Sequence, residues 1–391
     1  MEETMAIRHR SSHGGERVGS YTRTYNGKTR YAGVVPQYSV CTDEIGRFGQ
    51  ENYFDLAKIL IHGGRINGVL NPGSTTAEYT FNNYPCTLSR LTGTYLPNLN
   101  PPSSAFRDVY GAIASMHPGE PSVSLPVFLF ELKDVPWMLR NAAKRAKQLE
   151  KAARNPSIRG VTSFLASPKA RAEDYLNYQF GWSPLLRDLV DLTDIGPLIA
   201  KRMKSLSSAK RKLIRRKRSL GEWSETTEAW HPANATAYTP WAYCTKTAFA
   251  KKWVSAKFSI PDSVSGNLMR DDPWLAARIE LGLDASLTHV WDALPWSWLV
   301  DWFADIGGLI HTKANRFGIR YQGGSVMYET QRRLRARVFD TQASIRTSPI
   351  DTIAVTKSRV PAGYVPIDFR GLNGLDSRQL GILSSLAVTR V

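Results

Sequence analysis

Apolar residues recur along this chain at two periods, and the alternation between them divides it. Residues 1–120 follow the period of a strand. RVGSYTRTYNGKTRYAGVV (17–35) alternates polar and bulky residues, and Asn26-Gly27 is a hairpin turn signal. Loops rich in Pro, Asn and Gly follow at 71–76 and 96–104. Helical spacing begins near Pro126, where Leu129, Leu132, Val135, Leu139, Ala142, Ala146 and Leu149 recur at three- and four-residue intervals. Pro136 lies inside that run and predicts a kink or a restart.

A second helical region is expected from Pro168 to about Arg218. Ser183-Pro184 reads as an N-cap with Pro at the first helical position, and Gly196-Pro197 as a kink. Leu185, Leu189, Leu192, Ile195, Ile199, Met203 and Leu206 form one stripe. Strand composition returns over 221–262. Asp271-Asp272-Pro273 starts another helix, which continues through VWDALPWSWLVDWFADIGGLI. Strands are expected again over 319–360, with Arg333, Arg335 and Arg337 sharing one face beside Arg332. A helix over about Ser377 to Thr389 closes the chain.

The expected organisation is therefore 1–120 β-rich, 121–220 helical with a basic end, and 221–262 a β-rich insertion. After it come 263–318 helical, 319–370 β-rich and 371–391 a C-terminal helix. Segregated helices and strands indicate an α+β fold, a helical bundle joined to an antiparallel β-sheet region in an elongated monomer. Repeated passage between the halves argues against two domains on a flexible linker.

Charge changes this picture most. The 391 residues carry 51 Lys and Arg against 34 Asp and Glu, a net charge of +17. Residues 141–220 hold 19 Lys or Arg and 6 Asp or Glu, a net of +13. Ten of the eighteen residues from Lys201 to Arg218 are basic: Lys201, Arg202, Lys204, Lys210, Arg211, Lys212, Arg215, Arg216, Lys217 and Arg218. Lys144, Arg145, Lys147, Lys151 and Arg154 form an earlier cluster, which a favourable helix C-terminal dipole would also explain. Such concentrated charge repels itself and implies a polyanionic partner, and RNA is the one expected. Lys and Arg supply phosphate contacts, while Arg and aromatic rings stack on unpaired bases.

Other chemistry is thinly represented. There is no GxxxxGK[ST], Rossmann GxGxxG, HExxH or GxSxG. The His residues have no metal-ligand spacing, so no enzyme activity, metal or cofactor is expected. Asp292, Asp301 and Asp305 are expected to cap, pair with Arg or face water. Cys41, Cys86 and Cys244 are widely spaced and form no CxxC pair; one disulfide is open to them, and buried free thiols are expected. The N-terminus has no signal-peptide h-region. Val290 to Ile310 is the most apolar stretch, but carboxylates at a bilayer centre cost at least ~2.5 kcal/mol each, so no membrane span is expected.

Two segments carry a specific resemblance. YLNYQFGWSPLLRDL (175–189) resembles the QFGW-x-PL segment of the maturation proteins of single-stranded RNA bacteriophages. THVWDALPWSWLVDWFADIGGLI (288–310) resembles that family's VWE-x-x-P-[FW]-S-[FW]-x-VDW helix. Val290, Trp291, Pro295, Ser297, Val300, Asp301 and Trp302 match, and Asp292 stands where an acidic residue is usual. The resemblance covers some 40 residues of the 391.

It implies a single-copy virion protein that replaces a coat-protein dimer in the shell. It further implies that helices grip the genomic RNA near its 3′ end, that a β part adsorbs to a pilus or other bacterial receptor, and that the protein enters the host with the genome. Phe180, Gly181, Trp182, Pro184, Trp291, Pro295, Trp298, Asp301 and Trp302 would then be structural, with Trp296 packed beside them, and the basic residues would be functional. The rival readings are a cellular RNA-binding or ribonucleoprotein assembly factor without a receptor and, third, a nucleic-acid enzyme.

Overall fold

A computed structural model describes the chain except residues 1–5, 15–16, 24–27, 35–36, 46–51, 71–77, 86–95, 123, 132–135, 137, 141–142, 145–146, 148–167, 208–212, 233–240, 265–271, 284–286, 295, 340–343, 366–374 and 391. Antiparallel sheets and helices are both present, giving a mixed α+β fold. Two compact units divide the chain. One comprises Met1–Phe106, Ser219–Ser255 and Gly324–Val365, the other Arg107–Arg218, Ala256–Gly323 and Pro366–Val391. The chain thus passes between them five times, the repeated crossing expected from the order of periods.

Twelve strands are named among the described residues. They are β1 (Ala6–His13), β2 (Arg17–Arg23), β3 (Thr29–Val34), β4 (Gln37–Ile45), β5 (Phe54–Gly63), β6 (Arg65–Leu70), β7 (Tyr79–Pro85), β8 (Ile214–Pro232), β9 (Trp241–Ser259), β10 (Arg320–Phe339), β11 (Ile345–Thr347) and β12 (Ile350–Pro361). Seven form a sheet in the order β1-β4-β5-β12-β10-β9-β8, and five form a second in the order β11-β6-β7-β2-β3. β2 pairs antiparallel with β3, Thr22 opposite Thr29, and the Asn26-Gly27 signal between them lies outside the described residues.

In β10 the period of two holds. Leu334, Ala336 and Val338 are buried, while Arg335 and Arg337 are exposed and Arg333, before them on the same face, is half-buried. Leu334 lies opposite Thr352, and Ala336 opposite Ile350. With Ile66, Phe81, Tyr84 and Ile345 these apolar residues form one core. Each large side chain fully buried there contributes about 1.5–3 kcal/mol. Gly63 has φ +73°, and a Cβ there would lie 1.6 Å from the Pro349 carbonyl oxygen, so only glycine lets β5 end against the start of β12.

The helices are α1 (Val109–Ala114), α2 (Leu125–Glu131), α3 (Pro168–Asn177), α4 (Ser183–Thr193), α5 (Ile195–Ser207), α6 (Pro273–Glu280), α7 (Leu287–Ala293), α8 (Ser297–Phe303), α9 (Ile306–Lys313) and α10 (Ser377–Arg390). No described helix is long and apolar enough to cross a membrane. Asp272 caps α6 as expected, its carboxylate accepting from Leu275 N–H at 3.0 Å. A break also occurs just before Gly196-Pro197, at Asp194 (φ −96°, ψ 14°). Pro197 is then the third residue of α5, where a missing N–H leaves no intrahelical bond unmade.

Three helical expectations are corrected. The helix expected to reach Arg218 ends at Ser207, and β8 begins at Ile214. Its first residues alternate, with Arg215 and Lys217 exposed and Arg216 and Arg218 half-buried up to buried Leu220. Burial with a period of two outweighs the helix propensity of Arg and Lys. Ser183 is not an N-cap, because α3 runs into α4 through a π-helical turn, Tyr178–Trp182, in which Ser183 N–H bonds Tyr178 O. Pro184 has no N–H to offer the preceding turn, and the extra residue accommodates that loss. The segment from Val290 to Ile310 is three helices rather than one. Trp296 turns left-handed (φ +70°) before α8, and Ala304 is extended before α9.

Candidate nucleic-acid interface

The basic run of 201–218 changes secondary structure midway, and this sorts its cations. Lys201, Arg202 and Lys204 sit on α5, and Arg215 to Arg218 on β8, while Lys210, Arg211 and Lys212 lie outside the described residues. Arg216 donates to Ser205 Oγ at 3.2 Å, tying the start of β8 to the last turn of α5. It also donates to Met116 O at 3.0 Å, and burial lowers its pKa. Arg218 bonds Ser115 Oγ.

Arg202 is engaged most fully. Its Nε donates to Glu280 Oε2 at 2.6 Å, Nη1 to Pro118 O at 2.5 Å and Nη2 to Glu120 O at 2.6 Å. Glu280 is buried and also bonds Ser122 Oγ. Three of the basic residues therefore serve the fold. Lys201, Lys204, Arg215 and Lys217 are exposed, and no ion pair to them occurs among the described residues. Lys144 and Lys147 are also exposed, and Arg145 and Lys151 lie outside the described residues.

The second basic stripe is partly neutralised. Arg333 Nε donates to Asp351 Oδ1 at 2.8 Å, and Arg335 lies 3.8 Å from the same carboxylate. Arg337 lies over the Phe339 ring, 5.7 Å from its centroid.

The motif residues wall a cavity of about 710 Å³ instead of filling a solid core. Phe180 stacks on Trp298 (centroids 4.4 Å apart), which meets Trp302 at 4.7 Å and Trp296 at 5.8 Å. Phe180 remains 40% exposed and Trp296 43%. Trp182 is half-buried, and Pro295 lies outside the described residues. A Cβ on Gly181 would lie 2.7 Å from Met138 Cε, so the glycine of QFGW admits a methionine to the π-helical turn.

Of the sequence alternatives, capping holds for Asp305, while the one ion pair made by these carboxylates among the described residues is Asp292 with His311, not with an arginine. Asp301 accepts from Gly307 N–H at 2.7 Å and from Trp291 Nε1–H at 3.2 Å. Asp305 caps α9 through Gly308 N–H at 3.1 Å and also accepts from Gly111 N–H at 2.7 Å. Asp292 Oδ1 accepts from His311 Nε2 at 3.0 Å.

Sequence reasoning missed the cluster behind these carboxylates. His311 Nδ1 lies 3.4 Å from Glu120, whose carboxylate is 3.3 Å from fully buried Arg316. Burial lowers the His311 pKa, but hydrogen bonds to Asp292 and Glu120 raise it further, to about 9. The protonated ring then donates from both nitrogens. Arg316 Nη2, 3.0 Å from Nδ1, is thus a second cation beside Glu120 and not a donor to the ring. Burial drives His117 down to about 4 and keeps it neutral. Nothing in the spacing of these residues marks the cluster, because its members come from distant segments.

No group of His, Cys, Asp and Glu among the described residues could hold a metal ion. Cys41 and Cys244 are free thiols, and Cys86 lies outside the described residues. Compared with known proteins, the chain matches no protein-family model and no curated protein.

Proposed function

We propose that this is an RNA-binding virion protein of the maturation type, present once per particle as a monomer within the coat-protein shell. In this reading the helices form a bundle that grips genomic RNA near its 3′ end. The strands form the outward part of an elongated molecule, adsorbing to a pilus or another bacterial receptor, and the protein enters the host with its genome. The receptor-binding assignment rests on the resemblance in 175–189 and 288–310 and on the lack of a basic run in residues 1–120.

One observation carries the RNA reading. Lys201, Lys204, Arg215 and Lys217 project without an ion pair among the described residues from an α5–β8 region whose other described cations, Arg202, Arg216 and Arg218, are fixed to the fold. Fixed cations shape the surface, and free ones are left for phosphates. Each phosphate contact adds about one unit to the slope of log affinity against log salt.

Replacing all four by Gln is expected to flatten that slope by up to about four units. The fold should survive, because exposed substitutions shift stability by about 0.5 kcal/mol or less. Filter binding of wild type and the quadruple variant over a salt series tests this, and equal slopes would remove the assignment. The cellular-factor alternative predicts the same slopes but no incorporation into coat-protein shells.

A further inference from the structure

We infer that the aromatic cavity holds an unpaired nucleobase of the bound RNA, an inference that rests on the RNA-binding reading above. Two unusual backbone features meet at this one cavity. The π-helical turn Tyr178–Trp182 supplies Phe180, and left-handed Trp296 supplies a second ring, both beside Trp298. A bulky residue at positive φ stores strain, and π-turns and strained residues concentrate at functional sites. Here both geometries leave ring surface exposed instead of burying it.

The polar atoms of the wall select the ligand class. Asp292 and Asp376 each use one carboxylate oxygen within the fold, the first for His311 and the second for Gln379 N–H at 2.7 Å. Their second oxygens have no partner among the described residues. Both carboxylates are exposed at the wall, where a negative charge repels a phosphate but suits the N–H groups on a base edge. An apolar protein side chain seated here would strip water from the same oxygens without replacing its hydrogen bonds, at a cost. Arg378, exposed at the rim, donates Nε–H to Gln179 Oε1 at 2.8 Å, which leaves its Nη groups for the phosphate beside an inserted base. Ring faces to stack on, acceptors for a base edge and a guanidinium at the rim are together what single-stranded RNA recognition uses. The cavity of about 710 Å³ has room for one nucleotide.

The test uses the full-length protein and single-stranded RNA of mixed sequence, about ten nucleotides long. Trp296→Gly removes the ring while glycine accepts the left-handed backbone, so the fold is preserved. Phe180→Ala, at an exposed ring, is the second variant. Each is expected to weaken binding roughly 5- to 150-fold, the value of one base–aromatic stack, with an unchanged salt slope because no phosphate contact is lost. An oligonucleotide abasic throughout should bind wild type and Trp296→Gly equally. Unchanged affinity in both variants, with wild type still showing steep salt dependence, overturns the base pocket and leaves the RNA reading standing. Absence of any wild-type RNA binding overturns both. If the variants bind RNA normally but fail to enter coat-protein shells, the cavity receives protein and the inference is wrong.

Discussion

The two units differ in where they put charge. In the first, the core is apolar and continuous, from Tyr21, Ile66 and Phe81 to Leu334, Ile345 and Ile350, and the arginines of β10 stand outside it. In the second, charged groups also go inside, with Arg316 and Glu280 both at or below 2% exposure, whereas both units leave aromatic rings exposed, Tyr31, Trp230 and Trp241 in the first and Trp296, Phe180 and Trp274 in the second. A core of strands needs only alternation. Buried ion clusters cost stability unless fully paired, and the unit that carries them is the one we propose for RNA recognition.

The sharpest way to break this comparison is to remove one charge from inside the second unit. Glu280→Ala leaves Arg202 without its carboxylate and is expected to cost about 3–5 kcal/mol. Leu334→Ala, in the apolar core of the first unit, should cost about 2–5 kcal/mol through lost burial and the cavity left behind. Urea unfolding of both variants measures this. Near-zero loss for Glu280→Ala would mean that the buried pair holds nothing.

Acidity tests the second unit next, which holds both His311 and His117. The folded pKa of His311, about 9, exceeds its unfolded value, so its stabilisation is complete below about pH 6.5 and is lost as pH rises towards 9. His117 runs the other way. Its folded pKa, about 4, lies below its unfolded value, so stability is lost as pH falls from about 6.5 towards 4. Each amounts to up to about 3 kcal/mol. Thermal unfolding should therefore be most resistant near pH 6.5, and His311→Gln should flatten the alkaline limb alone. An unchanged alkaline limb in that variant would show that the ring is not held protonated.

A smaller effect is expected at the cavity. Phe180→Ala exposes an already half-open wall and should cost less than about 1.5 kcal/mol in the same urea experiment, well below the 3–5 kcal/mol usual for a Phe in a closed core. A cost at the full core value would mean that the cavity is filled in solution. The smallest stability change belongs to Lys201→Gln with Lys204→Gln, within about 0.5 kcal/mol, yet this pair should lower the RNA salt slope by about two units. Arg202→Gln should do the reverse, destabilising the fold while leaving the slope alone.

Local chemistry is what the sequence determined by itself. The β2–β3 hairpin, the inward face of Leu334, Ala336 and Val338, the Asp272 cap, the break before Gly196-Pro197 and the C-terminal helix all depend on neighbours within a few residues. Periodicity and capping report such contacts directly. So does the concentration of charge in 141–220, which first indicated a polyanion.

Tertiary structure decided which cations are free and which apolar residues are buried. Arg202, Arg216 and Lys201 look alike in sequence. Only the carbonyls of Pro118, Glu120 and Met116, brought from some 80 to 100 residues away, take the first two out of reach of a ligand. The run that reads as a helix to Arg218 becomes a strand because β8 pairs with β9, a long-range choice that no local propensity encodes. The tryptophans of 291–302 read as core because burial is their usual fate. The left-handed turn at Trp296 and the π-helical turn at Phe180 hold two of the rings around an opening, and such backbone geometry exists only when the surrounding structure enforces it.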